Sequence, residues 1–401
     1  MYTQKQKHMK VLFLGKYAFD DLVGGIERYS HAFLSHLPVG VKTVNVFFAK
    51  GKETSRIVKN GQVTIKVGVW ATLASTAISP ALVSVLRKVL LQETPDIVFL
   101  QCPNPMMHVA YLVACAFCLK KPKLVLYWHS DIVRQKVLLK LYRPFLNRLL
   151  AKADVVIVHS EALKKSPQLE VCETSKIYVI PIGVEAPMVD EKVLLNFQLY
   201  WSDNKRGLKN TFKLFACGRH VPYKGFDYLL RSLALLPKDV VLTLGGEGQE
   251  TDALKKLAQE LNLKERVHFV GRIPEEKLGA YLQASDVYCF PSISTNEAFG
   301  IAQVEAMLLG KPVVGFELFN GTTFVNKHGE TGLIVENKNV KAYAQALLKL
   351  KDNPELCKRL GEQAKVRSEI LFSVQRMVSD TLSLFGTLIS SSNAPKENAD
   401  V

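Results

Sequence analysis

The segment Cys217-Gly218-Arg219-His220-Val221-Pro222-Tyr223-Lys224-Gly225 combines two glycines with a guanidinium and an ammonium. An apolar run (212–217) precedes it and an amphipathic run (225–236) follows, so it reads as a turn from the end of a strand into a helix. Gly218 and Gly225 allow the turn to be tight. Arg219 and Lys224 place a forked donor and a point charge beside the positive end of a helix dipole. That set suits a diphosphate. The plainer alternative is a basic surface turn.

A second signal is Glu297-Ala-Phe-Gly-Ile-Ala-Gln-Val-Glu305, two carboxylates framing Gly300 at an expected helix start. Eight residues along a helix would separate the carboxylates by about 12 Å, at roughly 1.5 Å per residue. That is comparable to the reach from a sugar ring, across a diphosphate, to a ribose. Carboxylates suit this task because they accept hydrogen bonds from vicinal hydroxyls; otherwise both are helix-surface glutamates. A third cluster runs from Tyr127-Trp128-His129-Ser130-Asp131 to Lys136. His129 and Asp131 follow a buried strand and precede a helix, and are expected to face a cleft rather than the core. The bland alternative is a core or capping pair, with Asp131 as N-cap. Cys115-x-x-Cys118 lies in an apolar helical run with no second pair at metal spacing, so packing is its expected role.

These residues need a scaffold. Strands are expected at 10–14, 43–48, 97–100, 124–127, 155–158 and 178–180, with helices at 26–37, 81–92, 106–119 and 132–151. The pattern breaks over 184–210, read as a linker or insertion. A second series has strands at 212–217, 240–244, 267–270, 287–290, 312–314 and 332–335. Its helices are expected at 225–236, 251–261, 274–284, 300–309, 340–351 and 354–372. Alternation of this kind makes an α/β protein with parallel sheets covered on both faces. The expected domains are 1–195 and 211–372, with a C-terminal helix at about 375–388 packing back on the first and a disordered tail at 389–401. Two doubly wound domains in tandem would leave a ligand cleft between them.

In order, the signals are Gly24-Gly25 within Val23-Gly-Gly-Ile-Glu-Arg-Tyr29, the Gly218–Gly225 turn, and Gly245-Gly246-Glu247-Gly248. Phe269-Val270-Gly271, the Glu297/Glu305 pair and Gly329-Glu330-Thr331-Gly332 complete the series. The chain thereby resembles the retaining glycosyltransferases of family 4, whose GT-B fold has two Rossmann-like domains facing a central cleft. The resemblance implies that Arg219 and Lys224 hold the donor diphosphate and stabilise the leaving group. It implies that Glu305 binds the ribose hydroxyls and that Glu297 contacts the donor sugar, aided by backbone N–H groups around Phe299, Gly300 and Ile301. Gly24 and Gly25 would let backbone approach the reacting phosphate, Ile273 would form a lip for the base, and His129, with Asp131, would contact the sugar. The stretch HSDIVRQK (129–136), together with Asn320-Gly-Thr-Thr-Phe-Val-Asn326, looks most like bacterial mannosyl- and rhamnosyltransferases of surface polysaccharide assembly.

That resemblance implies a nucleotide diphosphate sugar as donor, GDP-mannose first, and a saccharide or lipid-linked saccharide as acceptor. No cofactor or metal is expected, since nothing resembles the Asp-x-Asp metal motif of the other glycosyltransferase fold. On this resemblance Glu297 and Glu305 are committed to binding hydroxyls, which favours front-face displacement over a carboxylate nucleophile.

Composition narrows the rest. The 52 Lys and Arg against 37 Asp and Glu leave a net charge of +15, which favours polyanionic partners: nucleic acid, phosphorylated small molecules or an anionic lipid surface. Nucleic acid is disfavoured, because the cations are dispersed and no helix-turn-helix, zinc or RNA-binding signature is present. Seven scattered cysteines suit a reducing cytosol, the N-terminal residues read into a strand rather than a secretory signal, and no apolar run reaches the ~18–20 residues of a membrane span. Between 132 and 152, apolar Val133, Val137, Leu138, Leu141, Phe145 and Leu149 alternate with Arg and Lys, with Pro144 inside, a pattern suited to the cytoplasmic face of an anionic membrane. The competing classes are an epimerase on the same fold, a non-enzymatic polyanion binder, and a catalytically dead sugar-nucleotide sensor.

Overall fold

Apolar strands alternating with amphipathic helices divide the chain into two units, Met1–Gly183 with Val374–Val401, and Val184–Ser373. The structure, a computed structural model, describes residues 9–21, 24–59, 61–73, 76–132, 136–202 and 211–393. Val23, Val133, Arg134 and the tail from 394, which entered the sequence reading, lie outside the described residues.

Unit 1 begins with β1 (Lys10–Tyr17), α1 (Gly25–Ser35), β2 (Lys42–Phe48), β3 (Ser55–Lys59), β4 (Gln62–Val67), β5 (Ala71–Leu73) and β6 (Thr76–Ile78). It continues through α2 (Leu82–Glu93), β7 (Ile97–Cys102), α3 (Pro105–Ala116), β8 (Lys123–Trp128), α4 (Lys136–Lys152), β9 (Val155–Val158), α5 (Glu161–Lys164) and β10 (Ile177–Val179). The sheet order is β10-β9-β8-β7-β1-β2-β4-β3, and β5 and β6 form a separate ribbon. Helices cover both faces of the central strands, which is why every residue of β7 is buried and its sequence carries no alternation. The order runs outward in two directions from β1, so the switch point lies between β1 and β7. There Asn104 Nδ2 donates to Gly15 O at 3.1 Å, tying the two strand ends together.

The hairpin β3–β4, the only antiparallel pair in that sheet among the described residues, was not expected from sequence. Its signal was present: Asn60-Gly61 between two β-branched runs is a strong hairpin cue. The outer strand β3 is exposed throughout and carries Arg56 and Lys59, which discourage pairing at the edge.

Unit 2 contains α6 (Glu191–Ser202), β11 (Phe212–Cys217), α7 (Phe226–Ala234), β12 (Val240–Gly245), α8 (Thr251–Glu260), β13 (Val267–Gly271) and α9 (Glu275–Ala284). It ends with β14 (Val287–Phe290), α10 (Ile301–Leu308), β15 (Val313–Phe316), α11 (Gly321–Val325), β16 (Gly332–Val335), α12 (Val340–Asp352) and α13 (Pro354–Leu371). Its strands are all parallel, in the order β13-β12-β11-β14-β15-β16, the 3-2-1-4-5-6 order of a dinucleotide fold. The segment read as a linker or insertion holds the helix α6. Asp190 caps α6 by accepting from Lys192 N (2.9 Å) and Val193 N (3.1 Å), and Leu194 packs with Val241, Tyr281 and Ala284.

The last helix, α14 (Val374–Asn393), belongs to unit 1, where it meets α1 and sets Phe385 edge-on to Phe99 with ring centroids 5.2 Å apart. It runs to Asn393, past residue 388, where the helix was expected to end. Cys115 and Cys118 pack into the core of unit 1. Among the described residues no helix is long and apolar enough to cross a membrane.

Candidate functional site

In unit 2 the chain leaves β11 and β14 on either side of the switch point, and the two loops carry Arg219 with Lys224 and Glu297 respectively. Their approach depends on Gly225. Its φ of +64° is left-handed, and a Cβ there would lie 2.2 Å from Pro291 O. The loops are further joined by Ile293 N donating to Tyr223 O at 2.9 Å. Lys224 Nζ forms an ion pair with Glu297 Oε2, each side chain being 15% exposed. Ser292 Oγ donates to the same oxygen at 3.5 Å, and the ammonium also lies 5.7 Å from the Phe290 ring centroid. Arg219 is exposed, its Nη2 donating to Tyr223 Oη at 3.3 Å. A guanidinium open to solvent thus stands five residues from an ammonium held by a carboxylate.

Glu297 sits in a turn, its N–H on Ser294 O at 3.1 Å, and α10 starts only at Ile301. The 12 Å separation inferred from helical rise therefore does not apply, because half of the span is loop. Asn320 fixes that loop: its Nδ2 donates to Glu297 O at 2.7 Å while its Oδ1 accepts from Thr322 N at 3.0 Å. Gly300 caps α10 at φ +81°, where a Cβ would come 2.7 Å from Gln303 Nε2 and 2.8 Å from Phe290. The first hydrogen bond inside α10 runs from Gln303 N to Gly300 O, so the N–H groups of Ile301 and Ala302 head the helix. Phe299 is buried edge-on against Phe372 at 5.7 Å. Glu305 is buried at 6% exposure on α10. The Tyr288 phenol, inside β14, is held well above its ordinary range by burial, with Cys217, Glu305 and Glu297 adding to it. Ile273 is half-buried and covers Gly245, where a Cβ would meet its Cδ1 at 2.4 Å.

Unit 1 holds the other expected residues. Gly24 caps α1 in extended conformation and Gly25 opens it. His129 follows β8, its N–H on Cys102 O at 2.9 Å and its Nε2 2.6 Å from Gln101 Oε1. Its ring lies against Tyr127 and edge-on to Tyr29, at 4.6 and 5.0 Å between centroids. At 6% exposure His129 is a core residue, contrary to the cleft-facing position expected from sequence. Burial, with His159 adding to it, pushes its pKa down to about 3, so the imidazole is neutral. Asp131 is half-buried and accepts from Trp128 Nε1 (2.9 Å) and Ser166 Oγ (2.6 Å), pinning its own loop. From Lys136 on, the described chain is α4.

Sequence reasoning missed Glu27. It lies in the first turn of α1, is 5% exposed, and its pKa is raised by burial while Lys16 pulls the other way. The carboxylate occupies the space left by Gly24, where a Cβ would meet Oε2 at 2.5 Å. An acidic residue three positions after the glycine was the available signal.

Two largely parallel, Rossmann-like sheets, one in each unit, are the elements of a GT-B fold. Solved structures align with nearly all of the chain. Sucrose-phosphate synthase from Thermosynechococcus elongatus superposes with a TM-score of 0.77 over 96% of this chain and 100% of its own, at 20% identity. Anabaena HepE in complex with UDP gives 0.75 over 94% and 100%, also at 20% identity. The chain belongs to glycosyltransferase family 4: residues 23–186 match the model described as Glycosyltransferase Family 4, and residues 202–367 match Glycosyl transferases group 1. The D-rhamnosyltransferase WbpZ of Pseudomonas aeruginosa is 31% identical over 366 residues, 91% of this chain and 92% of its own. The O-antigen chain mannosyltransferase C of Escherichia coli is 29% identical over 388 residues, 96% and 100% of the two chains.

Proposed function

We propose that this glycosyltransferase moves a hexosyl group, mannosyl first, from a nucleotide diphosphate sugar to a saccharide or lipid-linked saccharide during assembly of a cell-surface polysaccharide, with retention at the anomeric carbon. The observation that carries the proposal is the grouping of Arg219, Lys224 and Glu297 at the switch point of unit 2. A diphosphate there meets an exposed guanidinium and an ammonium already oriented by a carboxylate. Glu305 and the head of α10 supply an acceptor for ribose hydroxyls and donors for phosphate or sugar oxygens. The preference for GDP-mannose follows from the rhamnosyl- and mannosyltransferase relatives; HepE, which aligns at the level of fold, is known in complex with UDP-glucose.

Glu297 is engaged with Lys224, so it is poorly placed to act as a nucleophile. In the front-face route the acceptor oxygen attacks the anomeric carbon as the bond to the diphosphate oxygen breaks. The acceptor proton passes to that phosphate oxygen. Arg219 and Lys224 stabilise the charge that develops there, without a metal. Thermal shift against GDP, UDP, ADP and TDP tests this: the cognate diphosphate raises the melting temperature in proportion to the logarithm of its saturation. No shift with any of them would overturn the reading.

A further inference from the structure

Unit 1 contains a cavity of about 400 Å³ between the β5–β6 ribbon, α3 and α4, within the ~300–1,000 Å³ range of small-molecule sites. It opens at the switch point of this sheet: Lys16, near the end of β1, and Asn104, just after β7, both line it. Its walls are apolar, made by Leu73, Ile78, Val109, Leu138, Leu141 and Phe145 among others. Two of the polar residues that line it are already engaged. Asn104 donates to Gly15 O, and Tyr142 Oη is bonded to His108 Nδ1. Lys16 is the only charged residue among the described residues lining it.

Helix α4 explains how this surface arises. One set of its apolar residues, Leu146, Leu149 and Leu150, is buried in the core. Another set, Leu138, Leu141 and Phe145, stays 42%, 71% and 47% exposed along the cavity mouth. A helix needs one apolar stripe to fold onto a sheet; the second stripe has no partner within the core.

We propose that this cavity receives a hydrocarbon chain of the acceptor, with Lys16 meeting an anionic link such as a phosphate at its polar end. The acceptor is then an amphiphile: saccharide, anionic link, apolar chain. A sugar or a nucleotide would leave its hydroxyls unpaired against such walls, whereas a single alkyl or isoprenoid chain is complementary to them. This rests on the reading of the chain as a saccharide-extending transferase, and it concerns unit 1 alone.

The test is calorimetric titration of the full chain with inorganic phosphate and with hexyl, octyl and decyl phosphate, each below its micelle concentration. Affinity is expected to rise by about tenfold for each added pair of methylenes, the transfer value of two buried CH₂ groups. Val109→Trp fills the cavity and flattens the series; Leu141→Glu, at an exposed wall position, weakens the longer chains. Equal affinity across the wild-type series, or an unaltered series in both variants, would overturn the proposal. So would binding seen only with phosphatidylglycerol vesicles, which would make this face a membrane-contact surface instead. Nucleoside diphosphate affinity, which reads unit 2, is expected unchanged in both variants; its absence from the wild-type protein would refute the donor reading alone.

Discussion

At the switch point of unit 2 the loops after β11 and β14 carry Arg219, Lys224 and Glu297, and the contacts that hold them are polar and charged. At the switch point of unit 1, Gly24 and Glu27 stand at the head of α1, Lys16 and Asn104 line an apolar cavity, and the histidines His108 and His129 are buried and neutral. The same topology thus supports an electrostatic site in one unit and a hydrophobic one in the other. The strand order fixes where a ligand goes, and the loop residues fix its chemistry.

This contrast can be broken in several ways, taken here from the largest expected effect to the smallest. Arg219→Ala removes an exposed donor, so turnover should fall by about a hundredfold or more while the melting temperature of the free protein stays unchanged. Steady-state rates of sugar transfer decide, and a near wild-type rate would remove Arg219 from the site. Asn320→Ala cuts the tie to the Glu297 carbonyl, and turnover should drop by about tenfold, the worth of one hydrogen bond that positions the loop. Unchanged kinetics would mean the loop holds without it.

Acid should separate the two units. Burial depresses His108 and His129 to about 3 and His159 to about 4, all in unit 1; of the histidines shifted in unit 2, only His220 is lowered among the described residues. The unfolded chain takes up these protons below pH ~6.5 and the folded chain does not, so stability is full above that pH. It is lost as pH falls from about 6.5 towards 3. Hydrogen exchange across that range should show unit 1 opening before unit 2; the reverse order would contradict the assignment. The smallest expected effect is that of EDTA: if Arg219 and Lys224 carry the charge compensation as proposed, it leaves the transfer rate unaltered, and a rate restored only by added Mg²⁺ or Mn²⁺ would contradict this.

How much of this was legible in the sequence follows the same division. The Arg219–Lys224 turn and Gly300 could be read because glycine and charge at fixed spacing have few other uses, and the parallel strands because buried runs of Val, Ile and Leu do. Gly300 marked the helix start, so Glu297 was already placed before it; the path of the preceding loop was not legible, and a distance taken from helical rise fails across it. His129 looked like a cleft residue from its place after a strand, while its burial depends on Tyr29 and Tyr127, which are distant or adjacent in ways no local pattern reveals. Helix α6 was hidden because no clear apolar period runs through 184–210, although Asp190 marked its start. The cavity of unit 1 was invisible for a similar reason: a second apolar stripe on α4 resembles core or membrane surface until the ribbon opposite it is placed.

The most direct measurement compares the affinity of the cognate nucleoside diphosphate with that of its monophosphate, in the wild-type protein and in Arg219→Ala. A guanidinium reading the terminal phosphate predicts a preference of about tenfold or more for the diphosphate, collapsing in the variant. An identical preference in both proteins would mean that this phosphate is recognised elsewhere.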